Sequence, residues 1–128
     1  MKRVNPRWFY PFAAAFVFTA CFHVAAAVDG RIDPAAPAWR HLLFVGINLA
    51  CVGGLLRRPS YFVPPFAVLL VQQTWSHGGA LLGSLAPGER FDWPSLSVVL
   101  VMPLAFGLVL VDVLARRRSS SELGRPKE

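Results

Sequence analysis

"LACVGGLLRRPSYFVPPFAVLLV", residues 49–71, sets two apolar runs on either side of a four-residue joint, RRPS at 57–60. Followed outward, the runs extend to roughly 39–56 and 61–83, and two more of the same kind lie at roughly 9–28 and 94–115. A helix that crosses a bilayer needs about 20 mostly apolar residues, with about 17 as the lower limit, so each run is long enough. A joint as short as RRPS forces its flanking helices to lie antiparallel as neighbours. The expected fold is all-α, an integral membrane antiparallel four-helix bundle over residues 1–118. Residues 119–128, SSELGRPKE after a serine, read as a disordered cytoplasmic tail.

Composition agrees. In 128 residues, 55% are hydrophobic, 16% are charged, and the mean hydropathy is +0.48, too apolar for an ordinary soluble domain of this size. The net charge of +6 would suit nucleic acid, but its placement argues otherwise. Lys2, Arg3, Arg7, Arg57, Arg58, Arg116, Arg117, Arg118, Arg125 and Lys127 fall on one side of the four runs, and only Arg31, Arg40 and Arg90 on the other. The positive-inside rule then puts both termini and the 57–60 turn in the cytoplasm, in a plasma (inner) membrane with anionic headgroups as the partner of the basic side. No nucleic-acid role is expected.

Two processing signals compete with the first span. "MKR" followed by an apolar run and "HVAAAVDG" resembles a secretory signal with an A-x-A site at Ala25–Ala27, and "VFTAC" at 17–21 resembles a lipoprotein box. Against both, the run reaches about 20 residues, enough for a span. It also contains Pro11 and His23. A retained first helix is the expectation. The outer loops are DGRIDPAAPAWR and GSLAPGERFDWPS, with Trp39 and Trp93 as interfacial anchors. No internal repeat is read.

The polar residues inside the runs are the candidates for function. At about 1.5 Å of rise per residue, His23 sits roughly 7 Å below the outer ends and His41 and His77 roughly 3 Å below, all in one thin layer. Thr19 lies four residues from His23, Gln73 four from His77 and Asn48 seven from His41, so each histidine shares a helix face with a deeper polar residue. Unpaired polar groups cost several kcal/mol in hydrocarbon, so these stripes should turn toward one another and wall a cavity open to the outside. Three histidines are the usual protein complement of a catalytic zinc or a copper site, and a facing pair suits a haem. His23, His41 and His77 are thus the candidate metal ligands, with Asn48, Gln73 and Thr19 as cofactor-binding residues, and Asp29 and Asp92 as groups able to orient an imidazole. No catalytic residue is singled out.

Cys21 and Cys51 differ too much in depth for a disulfide and read as small buried hydrophobes. Gly46, Ala50, Gly53 and Gly54 form a strip suited to close helix packing. Pro103 falls mid-span and should kink the last helix. Asp112 should pair with Arg116 four residues on, or with Arg57. The size and layout resemble those of the small multidrug transporters, yet residues 9–28 contain no acidic side chain, which that family needs in its first span. The four-helix thiol oxidoreductases resemble the chain in layout too, but need cysteine pairs that it lacks.

Two classes of function follow. One is a small membrane protein whose outer-leaflet histidine site binds a metal, haem or small ligand, with redox work in view. The other is a non-catalytic bundle that assembles with itself or with a larger membrane complex.

Overall fold

The computed structural model describes residues 3–123, which are all-α: four long helices joined by loops and short 3-10 turns. They are α1 (Tyr10–Val28), α2 (Ala38–Arg57), α3 (Val63–Gly83) and α4 (Trp93–Leu123). The chain divides between Arg58 and Pro59 into two compact units. Residues 5–58 carry α1 and α2, and the stretch from Pro59 carries α3 and α4.

In the first unit the Asn5 side chain accepts the Arg7 amide at 3.0 Å and starts a 3-10 turn, Pro6–Phe9. Pro11 follows in the first turn of α1, where the missing N–H has no intrahelical partner to lose. The helix ends where Asp29 turns extended and Gly30 follows. At the end of α2, Arg58 takes the left-handed conformation (φ 51°), its amide closing on the Gly54 carbonyl at 2.7 Å. Glycine is the usual residue there. Arg58 gains a compensating contact, its guanidinium lying 5.0 Å from the centre of the Phe9 ring. Phe9 before α1 thus meets the end of α2, while His23 late in α1 meets His41 early in α2, so the pair is antiparallel.

The second unit repeats this plan. A 3-10 turn, Ser60–Phe62, leads into α3, which opens on Pro64 and Pro65. Phe66 near its start packs edge-on to Phe106 deep in α4, and His77 near its end meets Ser95 at the start of α4. These helices are antiparallel as well. Asp92 caps α4, its carboxylate accepting the Ser95 amide at 2.9 Å.

Among the described residues, three helical stretches are long and apolar enough to cross a membrane: Pro6–Val28, Ala38–Arg57 and Trp93–Ser120. The expectation of four spans meets a difference at α3, which at 21 residues has the length but not the hydropathy. Gln72, Gln73, Ser76, His77 and the two following glycines make its second half polar and small. The helices expose Phe18, Leu42, Val68 and Leu100 outward, as chains solvated by lipid do.

Several finer expectations change. α4 runs through Leu123, so 119–123 are helical where a disordered tail was expected, and 124–128 lie outside the described residues. The Ser119 and Ser120 hydroxyls donate back to the carbonyls of Ala115 and Arg116, which satisfies them without leaving the helix. Cys51 is buried but Cys21 is exposed. Of the small-residue strip, only Gly54 is buried; a Cβ at Gly46 or Gly53 would meet open space, so no close approach occurs at those two positions. Asp112 is buried and takes Arg116 Nε at 3.2 Å, the expected partner one turn on.

Candidate functional site

The end of the first hairpin that lies opposite Arg57 and Arg58 brings two of the three histidines together. His23 stands five residues before the end of α1 and His41 in the first turn of α2, with their Nδ1 atoms 3.1 Å apart. Phe44, one turn into α2, stacks on the His23 ring at 5.2 Å between centroids and fixes its plane, while Phe22 meets it edge-on. His41 is only 2% exposed, with its Nε2 pointing at Asp33 Oδ2, 3.7 Å away.

The geometry favours one tautomer of a neutral pair. Two Nδ1 atoms at hydrogen-bond distance require one donor and one acceptor. Were His41 the donor, its Nε2 lone pair would face the Asp33 carboxylate at close range. For two neutral rings, the favourable arrangement puts the proton on His41 Nε2, toward Asp33, so His41 Nδ1 accepts and His23 Nδ1–H donates. At 3.7 Å the Asp33 contact is an ion–dipole attraction and not a hydrogen bond, and His41 Nε2 is buried with no hydrogen-bond partner. A buried polar atom left in this way costs about 1–3 kcal/mol.

The loop carboxylates divide their work differently from expectation. Asp29, expected to orient an imidazole, is taken by Arg31 through two hydrogen bonds of 2.9 and 2.8 Å. Those bonds, followed by the Arg31 amide, hold its carboxyl below the ordinary value. Asp33 faces the histidine instead. Its selection rests on the path of the loop through Pro34 and Pro37, which spacing alone does not reveal.

His77 lies in the second unit, where Nδ1 is 2.9 Å from Ser95 Oγ. The Ser95 hydroxyl lies 2.6 Å from Asp92 Oδ2 and donates to that carboxylate, a charge-assisted bond. Its single proton being committed there, Ser95 Oγ accepts from His77 Nδ1–H and leaves the His77 lone pair on Nε2. The Ser95 hydroxyl, then its amide, hold the Asp92 carboxyl below the usual range. Asp92 therefore does orient an imidazole, through a serine that was not among the expected residues. The signal for Ser95 was available: an Asp three residues before a Ser at a helix start is a capping pattern.

The deeper polar residues use their donors locally. The Thr19 hydroxyl donates to Ala15 O at 3.0 Å, Asn48 Nδ2 to Phe44 O at 2.7 Å, and Gln73 Nε2 to Gln72 Oε1 at 2.7 Å. Asn48 shares the buried face of α2 with His41, as their seven-residue spacing implies. Among the described residues, no three His, Cys, Asp or Glu side chains gather into a metal-holding group. Two imidazole nitrogens 3.1 Å apart are also closer than the roughly 4 Å set by two opposed metal–nitrogen bonds of about 2 Å, so a haem does not fit between them as they stand. No known family, curated protein or solved structure matches the chain.

Proposed function

We propose that this is a small integral membrane protein whose working part is the His23–His41–Asp33 site, and that the site takes a labile transition-metal cation. The observation that carries the reading is the 3.1 Å spacing of the two Nδ1 atoms. Two metal–nitrogen bonds of 2.0–2.1 Å that meet near a right angle or slightly wider span that distance once each ring turns its Nδ1 lone pair off the N···N line toward the cation. Asp33 behind His41 supplies the carboxylate that commonly backs a ligating imidazole. Binding requires the His23 proton to leave Nδ1 for Nε2, so the neutral pair changes tautomer and releases no net proton. With two protein ligands, the remaining positions belong to water or an exchangeable group. That favours a cation bound and released over a resident one.

The charge asymmetry supports an external position for the site. Arg57 and Arg58 lie at the end of the first hairpin opposite Asp29 and Asp33. By the positive-inside rule, the histidine end faces outward, with the termini in the cytoplasm.

The test is a count of zinc or cuprous ion retained by purified protein after equilibrium dialysis near pH 7.5. About one ion per chain is expected, falling at least tenfold in affinity for His41→Ala and 10- to 100-fold for Asp33→Asn, the usual effect of losing a backing carboxylate. No retained ion, or equal retention by wild type and His41→Ala, refutes the reading. A wild type that retains none and runs as a multiple of the chain mass would favour assembly instead. For that reading the relevant observation is the exposed α3 face carrying Val68, Val71, Trp75 and Gly79.

A further inference from the structure

The two units are alike in more than plan. The boundary between Arg58 and Pro59 divides residues 5–112 into halves of equal length, and sliding one half by 54 positions lays it on the other. Pro11 then falls on Pro65, Phe12 on Phe66, His23 on His77, Trp39 on Trp93 and Gly53 on Gly107. Coincidences of Ala, Val or Leu would mean little in so apolar a chain. The chain has only three histidines and four tryptophans, so those two coincidences weigh most.

The structure supplies independent agreement at the same offset. Each half opens on a 3-10 turn and enters its first helix through proline. In each, the histidine late in the first helix bonds through Nδ1 to the side chain 18 residues on, His41 in one and Ser95 in the other. His41 and Ser95 are equivalent positions, and both are buried. The buried faces of the second helices coincide as well: Asn48 falls on Met102, Cys51 on Ala105 and Leu55 on Val109, all buried. The burial register thus follows the identities in the second helices; in the first helices it does not, since Phe16 and Ala20 are buried while their counterparts Leu70 and Thr74 are not.

We infer that the chain is a tandem duplication of one helical hairpin, residues 5–58 and 59–112, and that His77 with Ser95 is the second copy of the histidine site, one imidazole short. The two copies differ where their chemistry differs. With His at 41 the first copy presents two nitrogens, which suits a metal cation. With Ser at 95 the second presents one imidazole whose lone pair is at Nε2, an acceptor for a ligand that donates a hydrogen bond, such as an ammonium or hydroxyl group. The carboxylates come from different loop positions, Asp33 and Asp92, so the duplicated element is the histidine and its partner, with the acid recruited separately.

Ser95→His should recreate the missing ring. Imidazole 15N NMR of the full chain in detergent should then show a second coupling through a hydrogen bond, between the Nδ1 atoms at 77 and 95, beside the one between 23 and 41. Its absence in a folded protein that keeps the 23–41 coupling overturns the inference. Should that variant misfold, His41→Ser tests the other half: the 23–41 coupling disappears, and His23 becomes Nδ1-bonded to the new hydroxyl, matching wild-type His77. A folded His41→Ser protein in which His23 Nδ1 has no such bond overturns it equally. Neither readout needs a cation, so the outcome is separate from that of the cation count.

Discussion

At the scale of single residues, Asp92 and Asp33 show how little of a site spacing alone determines. Asp92 caps α4 and holds the Ser95 hydroxyl that receives His77. Its folded pKa is held below the ordinary value of about 3.9. A depressed carboxylate stabilises the fold above its unfolded pKa and loses that contribution as pH falls through the folded one. Asp92→Ala should thus cost about 1 kcal/mol near neutral pH, the usual worth of a cap, and progressively less below about pH 4. Unfolding in detergent at pH 7 and pH 3 checks this, and an undiminished cost at pH 3 would contradict it. The three histidines were legible as candidates because they are rare polar residues in apolar runs. Which loop acid faces which ring was not, since Asp29 and Asp33 stand only four residues apart and the intervening turn sends one to Arg31 and the other to His41.

At the scale of elements, all four helices were legible, because a run of about 20 apolar residues has few ways to satisfy its backbone in lipid. The ends were less so. α4 outruns its apolar segment because its serines bond back along the helix, and composition does not reveal that. α3 is the informative case. It falls short of the hydropathy of a span, yet a chain crossing only three times would leave Arg116, Arg117 and Arg118 outside, against the positive-inside rule. The bond between Gln73 and Gln72 lowers the cost of placing two amides in hydrocarbon. Reporter fusions after Arg58 and after Arg118 should therefore read as cytoplasmic, and one near Pro87 as external. A cytoplasmic signal at Pro87 would mean that α3 does not cross.

For the whole molecule, the duplication was hidden in the sequence because two hairpins of generic apolar residues retain few identities that stand out. The 18-residue spacing of both histidine bonds and the shared burial register of the second helices make it visible. In the first copy, the proposed chemistry is that the His23–His41 pair gives up its Nδ1–Nδ1 hydrogen bond to a cation, the His23 proton moving to Nε2. Imidazole 15N NMR of the wild-type chain, before and after one equivalent of zinc, addresses it most directly. Before zinc, His23 should be the Nδ1–H tautomer, coupled to His41 Nδ1. After zinc, it should be the Nε2–H tautomer with both Nδ1 atoms shifted by the metal, while His77 stays as it was. A His23 that keeps its proton on Nδ1, with zinc perturbing His77 alone or no histidine at all, would contradict the account.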